Sequence, residues 1–572
     1  MTNPLQPASR HWKQWLWRAL LGLILLLMFL SLIGPLMSWP LTDESTYLLQ
    51  ARQMAQGLLP YRDFYDFVTP GSQFIGSLFF RLNGFSLIGI RLLVVIGWLL
   101  ELLMLYTMGK NHLPKPWLNL LLAFLWLTDS RYPVFQHHFW SGLVALGAVF
   151  MSWRYLQSLY NGKAQPRWIA LSGILCATTF WFTQSLGILL TGALTAFSLL
   201  HCFLHERELQ GVGYRQVKNQ AVLARWLREW GRFGALPWLA MHGLCILTLI
   251  TLGIWPDFVR DTIQWLAEGH YNQTSVLGYY PTFHQEFVET IKPFLDGVPF
   301  PAALLFIFRF PIALHLFLIG ALPILGILGM GYALPNRFHY RLLQRQDDEL
   351  LLLWLCGTAL IISTMSYSTS MHITSNGGIA FLLGAVVLAR FLNRRPKLEK
   401  LMQPLIGGFY GLLLLGAVTG SLTMLLWGSW LSPTQTMPQP LLYTDPNTSG
   451  PQMVQLLNHL HEANEQKRSV FIFSESPSLY LVGGYQNATR FVLIIPQYTS
   501  APQIKEIMRD LEKNKPLLIV DDMTMHSLLK DPRFAQYSAS QLTIPALSEF
   551  LSTHYTLQAS YGRYGVFRRN QN

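Results

Sequence analysis

The sequence predicts a mainly α, polytopic membrane protein of about eleven spans that ends in an extracytoplasmic α/β domain. Three observations carry that prediction. Of the 572 residues, 51% are apolar and 13% charged, with a mean hydropathy of +0.30, whereas a soluble globular protein averages about 25% charged residues. Long uncharged windows recur up to about residue 430 and then stop. The net charge of +12 is unevenly placed, with almost all of the basic surplus before residue 433. This composition excludes a disordered, collagenous or disulfide-scaffold chain. In a soluble protein the basic surplus would suggest nucleic acid. Here it lies in loops between apolar segments, where it acts as an orientation signal, and no nucleic-acid partner is expected.

A spanning helix needs about 20 apolar residues to cross about 30 Å of hydrocarbon. The first candidate is 19–37, read as a retained span because its apolar run is too long for a signal peptide and no small-residue cleavage site precedes Trp39. Further apolar stretches lie near 86–108, 117–128, 138–158, 167–182, 184–204, 234–255, 303–333, 350–366, 376–392 and 403–430. One alternating set of loops carries the lysines and arginines, including Lys110, Lys115, Lys163, Arg167 and the run from Arg394 to Lys400. Those loops are expected to be cytoplasmic, together with the N-terminus. The loops at 39–85, 129–137, 256–302 and 367–375 are poor in basic residues and are expected outside, as is everything after Trp430. The Asn-x-Ser/Thr sequons at Asn272, Asn447 and Asn487 fall on that same side. The expected location is therefore the plasma (inner) membrane. Cys176, Cys202, Cys245 and Cys356 all lie in apolar segments, so neither a disulfide framework nor a thiolate metal site is expected.

The tail at 433–572 changes character and is read as a domain separate from the membrane part at 1–432. Short β-rich runs at 469–473, 490–495, 516–521 and 564–568 alternate with helical patterns at 502–514 and 544–551. Gly483 and Gly484 lack the G-x-G-x-x-G order of a phosphate-binding turn and are read as a tight turn.

Most of the chemistry sits in the first external loop. Thr42 can cap a helix whose first turn holds Asp43 and Glu44, where the positive end of the macrodipole favours anions. Acids there are common caps, but this loop also holds Arg62, Asp63 and Asp66 among aromatics, followed by Pro70-Gly71. Asp43, Tyr47 and Gln50 share one helix face. A carboxylate can accept a proton from an alcohol, and arginines can bind a phosphate leaving group. Arg62, Arg81, Arg91 and Arg131 are the candidates for that phosphate, and Arg91 lies within the second predicted span, where an ionisable side chain is costly.

The run Asp-Glu-x-x-Tyr, then Ala-x-x-Met-Ala-x-Gly-x-x-Pro-Tyr-Arg-Asp-Phe-Tyr-Asp, then Pro-Gly resembles the first external loop of the C-type glycosyltransferases. The bacterial branch related to protein O-mannosyltransferases and to the lipid A aminoarabinose transferase is the nearest in pattern. The resemblance implies transfer of a sugar from a polyprenyl-phosphate carrier to a lipid, glycan or protein acceptor at the outer face, usually with inversion. It implies that Asp43, with Glu44 beside it, is the catalytic or metal-associated carboxylate. Asp129 in the second external loop is the loose counterpart of a further acid in such enzymes. No cofactor is certain, and a divalent metal is left open, with Asp43, Glu44 and His138 as its possible ligands.

His137 and His138 open the fourth predicted span and could bind phosphate, shuttle a proton or ligate a metal. Consecutive helical residues point about 100° apart, so one of the two is expected to face the site. His372, in the loop before the tenth span, could meet the carrier phosphate. Asp257, Arg260, Asp261, Trp265, Glu268, His270, Tyr271, Tyr279 and Tyr280 mix charge and aromatics as a sugar-binding surface does, although an interfacial aromatic belt has the same composition. Two rival functions stay open: a transporter or flippase of lipid-linked sugars, and a non-catalytic envelope assembly protein.

Overall fold

A computed structural model describes residues 8–40, 42–129, 134–210, 216–267, 304–340, 344–365, 369–432, 439–443, 447–466, 469–474, 477–494, 499–522 and 549–570, with the single positions 288 and 547. Helix α1 (Ala8–Met37) leads into a short surface helix α2 (Thr42–Ala55), then α3 (Gly71–Asn83) and α4 (Leu87–Gly109). A bundle follows, built from α5 (Lys115–Asp129), α6 (His137–Tyr160), α7 (Pro166–Phe182), α8 (Gln184–Gln210) and α9 (Asn219–Thr251). Within α9 the segment Leu227–Ala235 is π-helical. The short α10 (Trp255–Phe258) precedes α11 (Leu304–Tyr340), α12 (Arg345–Ile362), α13 (Ser370–Asn393) and α14 (Pro396–Trp427).

Each of the eleven predicted spans coincides with a helix, but a count of eleven is not confirmed. Among the described residues, seven helices are long and apolar enough to cross a membrane: Arg18–Met37, Leu87–Gly109, Gln184–Gln210, Asn219–Thr251, Ile312–Pro335, Ser370–Asn393 and Pro396–Trp427. The other four fall short for physical reasons. α5 and α7, with 15 and 17 residues, reach only about 22 to 26 Å at 1.5 Å per residue. α12 opens on Arg345, Asp347, Asp348 and Glu349, and α6 carries Arg154 among many small and polar residues.

After α14, strand β1 (Ser429–Leu431) pairs antiparallel with β2 (Leu441–Tyr443). The rest of the tail contains α15 (Gly450–Glu465), β3 (Val470–Phe473), α16 (Ser478–Gly483), α17 (Ala501–Asn514), β4 (Leu518–Asp522), β5 (Tyr555–Tyr561) and β6 (Tyr564–Arg569). Its sheet runs β3-β4-β6-β5, with β3 and β4 parallel and the other pairs antiparallel. Alternate side chains serve two cores. Val470, Ile472, Leu518 and Val520 join the large core that runs through the helical bundle, whereas Phe471, Phe473 and Ile519 pack with Ile504, Ile507 and Leu511 of α17.

The predicted strand at 490–495 does not form. Residues 490–494 are irregular because Asn487 and Thr489 tie this segment to itself, Asn487 Nδ2 donating to Phe491 O at 2.8 Å and Thr489 Oγ1 to the same carbonyl at 3.1 Å. α15 and β5 were not expected. Gly484 adopts φ +68° after α16, so the glycine pair is the tight turn its sequence suggests.

Candidate functional site

The two acids that open α2 meet different surroundings because successive helical side chains diverge. Glu44 turns inward. Its Oε1 accepts from Arg91 Nε at 2.8 Å, its Oε2 from Arg91 Nη2 at 2.5 Å, and Oε1 also from the Phe135 amide at 3.4 Å. Arg91 Nη1 donates to the carbonyls of Leu36 at 2.9 Å and Ser38 at 2.7 Å. The side chains of Glu44 and Arg91 are 0% and 2% exposed, a depth at which each charge is tolerable only because the other is present. This bidentate pair ties the start of α2 to the end of α1 and to α4. Arg91, expected as a phosphate candidate from its place in a span, is thus engaged by Glu44 and two carbonyls, and Glu44 is engaged by Arg91.

Asp43 points the other way. Its side chain is exposed, yet the protein around it raises its pKa above the ordinary carboxylate value by removing part of its solvation. The raised pKa makes its carboxylate a stronger base than a surface aspartate.

One turn along α2, the buried Tyr47 packs its ring 4.9 Å from that of His137. His137 and His138 have ring centroids 3.8 Å apart, and His138 lies 4.1 Å from His372 on α13. The structure thus gathers all three imidazoles, although neighbouring helical residues were expected to part. The close crossing of α6 and α13 brings His372 to His138. Gly142, one turn after His138, lies so near α13 that a Cβ there would stand 1.9 Å from the Ser375 carbonyl oxygen. His372 Nδ1 is 2.5 Å from Thr369 Oγ1. The Nδ1 atoms of His137 and His138 are buried and have no hydrogen-bond partner among the described residues.

Among the described residues no group of three or more His, Cys, Asp or Glu is placed to hold a metal ion. The set Asp43, Glu44 and His138 allowed by the sequence is not assembled, because Arg91 holds Glu44 away from Asp43.

The loop from 56 to 70 is fixed by its own polar groups. Tyr61 is fully buried with φ +67°, a left-handed conformation that side chains rarely adopt, and its hydroxyl donates to Val68 O at 2.9 Å. Arg62 pairs with Asp63 at 3.0 Å, and Asp63 Oδ2 accepts from the Leu59 amide at 2.7 Å. The hydrogen bond from Arg62 holds the Asp63 carboxyl below its ordinary pKa. Asp66 is buried. Its Oδ1 accepts from the Val68 amide at 2.9 Å and its Oδ2 from Gln73 Nε2 at 2.5 Å, while Gln73 also reaches Gln50 Oε1 on α2 at 2.9 Å. Burial pushes the Asp66 pKa up to about 7 against those hydrogen bonds.

Arg81 donates to Met54 O at 2.8 Å, closing the end of α2. Arg62 and Arg81, expected as phosphate candidates, are therefore occupied locally. Arg131 and the Asp129 side chain lie outside the described residues, as do Glu268, His270, Tyr271, Tyr279 and Tyr280.

Sequence reasoning missed the residue that braces this loop from the tail. Arg490 Nη1 donates to Tyr61 O at 3.0 Å and to Asp261 Oδ2 at 2.5 Å, and its Nε donates to Glu506 Oε1 of α17 at 2.7 Å. Its guanidinium lies 5.5 Å from the Tyr65 ring, and its own carbonyl accepts from the Tyr65 amide at 2.9 Å. Arg260 Nη2 reaches the same Tyr61 carbonyl at 3.4 Å. No motif surrounds Arg490 in the sequence, and its partners are up to 429 positions away.

The sequence matches no protein-family model and no curated protein. Solved structures do resemble it. The apo form of the Archaeoglobus fulgidus oligosaccharyltransferase superposes with a TM-score of 0.50 at 13% identity, covering 96% of this chain and 74% of that one. Apo ArnT from Cupriavidus metallidurans gives 0.50 at 13% identity, covering 96% and 97%. ArnT bound to undecaprenyl phosphate gives 0.47 at 12% identity over the same shares. At this identity the likeness is one of fold, which this chain shares with the oligosaccharyltransferase and ArnT.

Proposed function

We propose that this chain transfers a sugar from a polyprenyl-phosphate carrier to an acceptor hydroxyl at the outer membrane face, by a single inverting displacement with Asp43 as general base. The observation that carries the reading is the exposed Asp43 carboxyl with a raised pKa at the head of α2, beside a partner acid paired with Arg91. The C-type glycosyltransferase fold and its likeness to ArnT support the choice of donor class.

In this mechanism the acceptor oxygen attacks the anomeric carbon while its proton moves to an Asp43 oxygen. The bond from that carbon to the carrier phosphate breaks, its electron pair leaves with the phosphate, and Asp43 later returns the proton to water. The Nδ1 atoms of His137 and His138, without a hydrogen-bond partner among the described residues, are the candidates to meet a phosphate oxygen. Arg131 remains a candidate for the same task. Glu44 and Arg91 act on Asp43 by holding the first turn of α2 in place.

The test is incubation of the purified protein with a radiolabelled polyprenyl-phosphate sugar and a hydroxyl acceptor. Label should leave the lipid with wild type. Asp43→Asn should remain folded and lose about 10²- to 10⁴-fold in transfer, the usual contribution of a general base. Wild-type turnover by that variant sinks the assignment, and carrier movement across the bilayer with no loss of label would favour a flippase.

A further inference from the structure

The end of the bundle remote from Asp43 holds an arrangement that the transfer reaction does not use. α6 starts at His137 beside Tyr47, so Arg154, seventeen residues on, lies roughly 25 Å away along the helix axis at the opposite face. There the exposed guanidiniums of Arg154 and Arg167 converge on one indole, 5.1 and 4.7 Å from the Trp168 ring centroid. Gln165 Oε1 fixes the group by accepting from Arg167 Nη2 at 2.8 Å and Trp168 Nε1 at 2.9 Å. The turn before it is held in place as well, with the Gln165 amide donating to Ser158 Oγ at 3.1 Å. The two cations are within about 10 Å of each other, no farther than a Debye length, and so repel. Neither forms an ion pair with a carboxylate among the described residues.

An apolar surface continues from these charges. Arg167, Leu171 and Ile174 follow one face of α7 at helical spacing, and Leu171 and Ile174 are exposed. α9 packs against a different side of α7, where a Cβ on Gly173 would lie 2.2 Å from the Gly234 carbonyl oxygen, and leaves this face open. Paired cations at the water boundary with aliphatic side chains below them match a phosphodiester headgroup with its acyl chains, whereas a free phosphate would use only the charged half.

The geometry points to a binding site for an anionic phospholipid on the exposed face of α7, with Arg154 and Arg167 gripping its phosphodiester beside Trp168. Occupancy relieves the repulsion between the two arginines and anchors this end of the bundle at the membrane surface.

The experiment reads bound lipid rather than catalysis. Full-length protein reconstituted in nanodiscs with equal phosphatidylglycerol and phosphatidylcholine is extracted, and the retained lipids are counted by native mass spectrometry. Wild type should retain phosphatidylglycerol preferentially. Arg154→Gln and Arg167→Gln should each reduce that preference about five-fold, and the double variant should lose most of it. The charge-preserving pair Arg154→Lys and Arg167→Lys should keep most of the preference. Equal retention by wild type and the double glutamine variant overturns the proposal. So does parallel loss of both lipids, and so does a lysine pair that behaves like the glutamine pair.

Discussion

Asp43 and Asp66 lie in the same loop region and differ in what burial does to them. Asp43 reaches water, while Asp66 is enclosed and hydrogen-bonded to Gln73 and the Val68 amide. Its pKa rises from 3.8 to about 7 on folding. Between those values the folded chain holds a proton that the unfolded chain has released, so stability falls as pH rises from about 4 to about 7 and the penalty is fully present above that. Asp66→Asn removes the titration. Its melting temperature relative to wild type should therefore increase between pH 5 and pH 8, as read by thermal unfolding in detergent; a pH-independent difference would refute a protonated Asp66. The first turn of α2 can be read from sequence because capping chemistry is local. The separate fates of Asp43 and Glu44 cannot, because Arg91 is 47 residues from Glu44.

Among the elements, α6 and α13 matter most for the site because their crossing sets the spacing of the three imidazoles. Gly142 permits that approach. Gly142→Ala places a methyl group against the Ser375 carbonyl, and relieving the clash should cost about 1 to 3 kcal/mol. The variant should unfold at lower temperature and lose transfer activity in excess of its stability loss, because His138 and His372 part. Helix positions are largely legible in the sequence, since apolar periodicity follows from burial in lipid or core. The span count is not, because short helices such as α5 and α7 are apolar without being long enough. The tail is legible where strands are wholly buried, as in β3 and β4, and fails at 490–494, where side chain to backbone bonds replace a ladder.

At the level of the whole molecule, the tail and the membrane part share a core and are joined at the site. Trp39 donates its amide to Leu442 O at 2.8 Å, Arg52 reaches Leu481 O at 3.1 Å, and Arg490 grips the loop from 56 to 70. Removing 440–572 would therefore disturb α2 as well as any acceptor surface, so a point substitution is the sharper probe. Arg490→Ala leaves Asp261 and Glu506 without their shared cation. The loss of a partly buried charge network of this kind is worth about 3 to 5 kcal/mol. Limited proteolysis should then cut the loop from 56 to 70 sooner than in wild type, and the acceptor KM should rise more than carrier affinity falls. Unchanged protease protection would mean that Arg490 is not the brace.

The clamp on the Tyr61 carbonyl also has a bearing on biosynthesis. The first loop leaves the ribosome early, but Arg490 follows 429 residues later. At about 5 to 20 residues per second, roughly 20 to 90 seconds separate the two. During that interval a tyrosine in an unfavourable backbone conformation lacks its main restraint. The loop's own polar contacts need only the first part of the chain, but its clamp needs the tail, and a nascent chain halted before Arg490 holds every residue of the first loop without that brace.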